Sequence, residues 1–163
     1  MENFSIPETM KAMTLVAYDK LQLATVPVPK PGPGEVLCRI KSVAICGSDP
    51  KMIHGDYAWT NWPPYYPFIM GHEWAGQIVA LGEGVNDFKV GDRVALEPGK
   101  TCGHCKFCRE GKYNLCPDVV FFATPPVDGV FQEYVAHEAA LCFKLPDNVS
   151  TLEGAVSYTH LRA

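Results

Sequence analysis

The 163 residues hold 14 Lys and Arg against 18 Asp and Glu, a formal net charge of −4, and 47% of them are apolar. This length buries a sizeable core without disulfide staples, the low charge density excludes disorder, and the acidic balance argues against a nucleic-acid or anionic-membrane surface. No apolar run approaches a membrane span and residues 1–7 lack the parts of a signal peptide, so a cytoplasmic location is expected.

Residues 11–18 and 21–26 read as short strands joined by a turn at Asp19-Lys20. Prolines 27, 29, 31 and 33 then forbid helix and interior strand, because each removes a backbone donor and fixes φ. A longer strand follows from Glu35 to Ile45, with Val36, Cys38 and Ile40 alternating against Arg39 and Lys41. Cys46 sits at its end, where sites are commonly built. Gly47-Ser48-Asp49-Pro50 reads as a turn into a short helix, with Asp49 as N-cap and Pro50 at the first helical position.

Residues 56–69 are rich in aromatics and proline, suiting a loop that lines an apolar cleft or packs on the body. Met70-Gly71-His72-Glu73 precedes a strand over 74–81, and Val90-Gly91-Asp92 is a turn before another strand. Further strands are expected around Phe131 to Val135 and Leu141 to Leu145. Ser150 with Glu153 three residues on forms a capping box. Many short strands between Gly and Pro turns predict a compact, mainly β barrel with short helices.

The seven cysteines are an odd number for a reducing compartment and point to metal before disulfides. Cys38 and Cys142 stand singly in strand-like segments and read as small core residues. Cys46, His72 and Glu73 offer a thiolate, an imidazole and a carboxylate, a mixture that suits Zn²⁺ and leaves a fourth position open. Cys102, Cys105, Cys108 and Cys116 are spaced to close a tetrahedron around a second, structural Zn²⁺. An iron–sulfur cluster is the rival for the four, opposed by the seven-residue gap before Cys116. A nucleic-acid-gripping ribbon is disfavoured by the few basic residues nearby.

Cys46-Gly47-Ser48-Asp49, then Gly71-His72-Glu73, then the four clustered cysteines resemble the zinc-containing medium-chain alcohol dehydrogenase family over residues 11–156. Leu96-Glu97-Pro98-Gly99, Gly111 to Pro117, Phe122-Ala123-Thr124-Pro125-Pro126 and Lys144 to Val149 look most like its polyol (sorbitol, xylitol or iditol) dehydrogenases. The resemblance implies a GroES-like, partly open β-barrel with a zinc-binding lobe. It also implies Cys46, His72 and Glu73 as ligands of a catalytic Zn²⁺, and Cys102, Cys105, Cys108 and Cys116 as ligands of a structural one, two per chain. Ser48 would take the substrate hydroxyl proton, Asp49 would orient His72, and Phe121 and Thr124 would border the substrate. The zinc would act as a Lewis acid on a polyol or secondary alcohol, whose hydride passes to NAD⁺; butanediol and threonine are alternative substrates, and a homo-oligomeric parent is expected.

The chain departs from the family at two places. Lys51 stands where many members have a relay His, with His54 nearby but not at the matching position. There is no Gly-x-Gly-x-x-Gly in the 163 residues, and Tyr158 stands where a Glu near the zinc is expected. Residues 1–156 are therefore expected to be an incomplete catalytic domain and 157–163 a tail foreign to the family. On this reading NAD(H) belongs to the full-length parent only, the Rossmann domain is absent, and the chain alone is a silent zinc-binding fragment.

Overall fold

The computed structural model describes residues 4–58 and 66–157. Strands β1 (Thr9–Ala17) and β2 (Lys20–Pro27) form the expected antiparallel hairpin, with Asp19 in the left-handed region at φ 56°. β3 (Glu35–Ala44) follows the proline-rich run. Its first half departs from simple alternation, since Val36, Leu37 and Cys38 are all buried, Leu37 in a second cluster with Met10, Val79 and Tyr134.

Helix α1 (Ser48–His54) begins earlier than expected: its N-cap is Gly47, not Asp49. Asp49 lies inside the first turn and is buried, and its carboxylate reaches back to accept the Cys46 backbone N–H at 2.8 Å. The acidic residue still satisfies a backbone donor at the helix start, but from within the helix.

β4 (Phe68–Ile69) pairs with β1, so the expected loop over 56–69 ends in a short strand. Tyr57 and Tyr66 pack around Leu15, Met52, Phe68 and Met70. Trp59, Trp62, Pro63, Pro64 and Tyr65 of that loop lie outside the described residues. β5 (Glu73–Leu81) and β6 (Arg93–Leu96) match the expected strands.

In the lobe, β7 (Gly99–Lys100) pairs with β8 (Val120–Phe121), enclosing helix α2 (Lys106–Arg109) and a 3₁₀ turn at Tyr113–Leu115. β9 (Tyr134–Glu138) starts three residues later than expected, leaving Phe131 in the preceding segment, and β10 (Cys142–Lys144) follows. Helix α3 (Thr151–Ala155) carries the full capping box of Ser150 and Glu153.

The main sheet runs β10-β6-β5-β3-β9, with a second sheet β2-β1-β4 beside it; the sheets do not close, giving a partly open, mainly β barrel. Trp74, Ile78, Val36, Val94, Leu96, Val130 and Val135 fill its core together with Cys38 and Cys142, as expected of small buried thiols. A hydrogen bond with the neighbouring Cys142 and burial push the Cys38 thiol far up, so it stays neutral. On the outer face α3 sits close on Ala75 and Ala95 through Ala155, where small residues let helix and sheet approach.

Candidate metal centres

β3 and β5 are antiparallel neighbours, with Ala44 opposite Glu73. The pairing brings the end of β3, and hence Cys46, to the start of β5. Donor atoms of Cys46, His72 and Glu73 all lie within 4.8 Å of one another. His72 Nε2 stands 3.8 Å from Glu73 Oε1, while His72 Nδ1 faces the other way, 3.9 Å from Asp49 Oδ1. The two ring nitrogens are thus divided between the ligand group and Asp49, the division that fixes which nitrogen of a ligating histidine meets a metal.

Glu73, Asp49 and His72 are 2%, 1% and 7% exposed. Burial pushes the Asp49 carboxyl up and Glu73 adds to the rise, against the Cys46 N–H and His72, which pull it down. Two buried carboxylates beside a thiol are costly without a cation among them. Asp49 Oδ1 has no hydrogen-bond partner among the described residues. A divalent ion fits this donor set, because one thiolate and one carboxylate balance its charge and the imidazole adds a neutral third ligand.

Ser48, half-buried, opens α1 two residues after Cys46. Phe121 stands with its ring centroid 5.6 Å from that of His72. Thr124 donates its backbone N–H to the Phe121 carbonyl at 3.2 Å across a tight turn in which buried Ala123 holds φ 56°. Lys51 is exposed on α1, and His54 is drawn away to Asp19, 2.5 Å from its Nδ1. Tyr158 lies outside the described residues.

The second group is the lobe. Sulfur atoms of Cys102, Cys105, Cys108 and Cys116 lie within 4.8 Å of one another, Cys102 and Cys108 at 4.0 Å. A tetrahedron with metal–sulfur bonds of about 2.3 Å has edges of roughly 3.8 Å, so the four need little adjustment to hold one ion. Backbone N–H groups already point at the sulfurs: Cys102 to Cys116, Cys105 to Cys102 and Cys108 to Cys105, each at 3.4 Å. Such donors favour thiolate, and backbone bonding around His104 and Cys105 lowers Cys102 to about 6. His104 turns aside, its Nδ1 bonded to the Cys102 carbonyl at 2.8 Å.

One feature supporting the first group carried no motif in the sequence: residues 128–131, which bond along 69–71. Gly129 is the only hint there, and a single glycine between strands has many explanations.

Fold and donor groups define a mainly β domain with two clusters of residues that could each hold a metal ion. A family model described as the alcohol dehydrogenase GroES-like domain matches residues 32–147. Sorbitol dehydrogenase of Bacillus subtilis (strain 168) is 47% identical over 152 residues, covering 93% of this chain and 43% of that protein. Human sorbitol dehydrogenase is 46% identical over 137 residues, covering 83% and 38%. Among solved structures, an Escherichia coli oxidoreductase/dehydrogenase of unknown specificity matches with TM-score 0.83 and 41% identity over 91% of this chain and 43% of that one. Galactitol-1-phosphate dehydrogenase from Escherichia coli matches with TM-score 0.81 and 33% identity, covering 90% and 41%.

The chain belongs to the zinc-containing medium-chain alcohol dehydrogenase family, close to its polyol dehydrogenases. It spans about two-fifths of the length of these relatives.

Proposed function

We propose that this domain holds and orients the alcohol in a zinc- and NAD-dependent dehydrogenase of polyols such as sorbitol or xylitol. The observation that carries the reading is the convergence of Cys46, His72 and Glu73 within 4.8 Å, with Asp49 behind His72. A Zn²⁺ held there would supply Lewis acidity to the substrate hydroxyl. The chain's own groups supply the rest. Ser48 can accept the hydroxyl proton and pass one on, since a hydroxyl is both donor and acceptor. Exposed Lys51 stands in place of the relay histidine, so the proton path beyond Ser48 departs from the family's.

Phe121 lends an apolar wall beside His72, keeping water from the hydroxyl carbon, and Thr124, three residues on, would border the substrate. In this reading Cys102, Cys105, Cys108 and Cys116 hold a second Zn²⁺ that stiffens the lobe and takes no part in the chemistry. NAD(H) enters this reading as the hydride acceptor of the parent dehydrogenase; the 163 residues themselves contain no Gly-x-Gly-x-x-Gly.

Elemental analysis of the purified chain tests the metal assignment. Two zinc ions per chain are expected, falling to one in Cys46→Ser. An unchanged count in Cys46→Ser would remove the open site, and a brown sample with iron would replace the structural zinc by an iron–sulfur cluster. With NAD⁺ and sorbitol or xylitol, the 163 residues alone should form no NADH, while the parent protein should.

A further inference from the structure

We propose that residues 128–131 are a positioning clamp that aims His72 and Glu73 at Cys46, an inference that rests on reading those three as metal ligands. Three consecutive backbone donors grip the residues just before His72: Gly129 N–H to Ile69 O at 2.7 Å, Phe131 N–H to Met70 O at 2.8 Å, and Val130 N–H to Gly71 O at 2.9 Å. The Asp128 carboxylate closes the row by accepting the Ile69 N–H at 2.8 Å. The far side of the clamp is anchored in turn, since the Phe131 carbonyl accepts the Met13 N–H of β1 at 2.7 Å.

The grip leaves no space. A Cβ on Gly129 would lie 2.3 Å from the carbonyl oxygens of both Met70 and Gly71. Gly71 itself is in the left-handed region at φ 85°, and a Cβ there would meet the Phe131 ring at 2.2 Å. Gly71 is therefore held between the ring of Phe131 and the backbone of Val130, and its carbonyl direction sets where the next two side chains begin. Neither Gly129 nor Phe131 belongs to the donor set. Both act through Gly71.

Co²⁺ titration of the metal-free chain tests this, because thiolate and imidazole sites give distinct visible bands and Cys46→Ser identifies the band of the Cys46 site. In Gly129→Ala the affinity at that site should fall about 10–100-fold, the usual size for a lost supporting contact behind a ligand. The band of the four-cysteine lobe should not move. Gly71→Ala should weaken the same site, and adding Phe131→Ala should recover part of the loss by removing the colliding ring. Asp128→Ala should weaken it and Asp128→Asn, which keeps an acceptor oxygen, should not. Unchanged affinity at the Cys46 site in Gly129→Ala, or equal loss at both sites in Gly129→Ala and Asp128→Ala, overturns the clamp alone. A wild-type chain with no Cys46-dependent band overturns the ligand reading and the clamp with it.

Discussion

The Cys46 backbone N–H donates to Asp49 Oδ2 at 2.8 Å, while the other oxygen of the same carboxylate faces His72 Nδ1 at 3.9 Å. One buried side chain therefore ties the backbone of one candidate ligand to the ring of another, and its charge favours the tautomer whose Nε2 is bare. Asp49→Asn keeps an acceptor for Cys46 and removes the charge facing His72. Zinc affinity at the Cys46 site should fall roughly 10–100-fold with little change in fold, measured by competition with a chromophoric chelator; an unaltered affinity would show that His72 needs no such partner.

The lobe should behave as a separate unit. Cys116→Ser removes a thiolate and the acceptor of the Cys102 N–H. One zinc per chain should be lost, with the Cys46 site still loaded, and the lobe should become the first region to exchange its amide hydrogens. Loss of both ions would show instead that the sites stand or fall together.

Stability should decline on mild acidification because of His137. Its imidazole is buried, donates through Nε2 to the Glu97 carbonyl at 3.0 Å and lies 4.9 Å from the Phe122 ring. Burial holds its pKa below the ordinary 6.5, partly offset by the Glu97 bond and by Glu138 and Glu35. The unfolded chain thus takes up a proton near 6.5 that the folded one resists. Stability is fully present above that pH and falls as the pH drops toward the lowered folded value. Urea melts at several pH values should show this slope shrinking in His137→Phe; an identical slope would assign it to other groups.

Gly76 of β5 lies opposite Ile40 of β3. A Cβ there would lie 2.3 Å from the Arg39 carbonyl oxygen, beside the irregularity in pairing between Ile40 and Ser42. Gly76→Ala must part the two strands or twist them, at a cost of about 1–3 kcal/mol. Chemical denaturation measures it, and a loss below about 0.5 kcal/mol, the range of a neutral surface change, would mean that the strands slide apart freely.

Much of this was legible in the residues. The hairpin, the strands from Glu35, Glu73 and Arg93, and the capping box of Ser150 and Glu153 follow from local pattern and turn chemistry; the four lobe cysteines stand out by their spacing, while Cys46, His72 and Glu73 are joined by residue type and by the family resemblance. What stayed hidden depends on partners distant in the chain. Asp49 has the composition of an N-cap, but Gly47 can take that place, and the carboxylate is drawn inward between Cys46 and His72. Phe131 sits in a strand-like run, yet its ring is committed to Gly71, so β9 begins at Tyr134. β4 is only two residues long and exists because β1 offers it an edge.

The two donor groups also differ in how far the chain must travel to assemble them. The four lobe cysteines fall between residues 102 and 116, a short loop that closes at small entropic cost and needs no sheet. Cys46 meets His72 and Glu73 only when β3 has zipped onto β5, and the segment that steadies them comes from beyond residue 127. During refolding in limiting zinc, the lobe should capture the ion while the barrel is still forming. On the proposed assignment, the first ion to arrive would go to architecture and the reactive position would fill last.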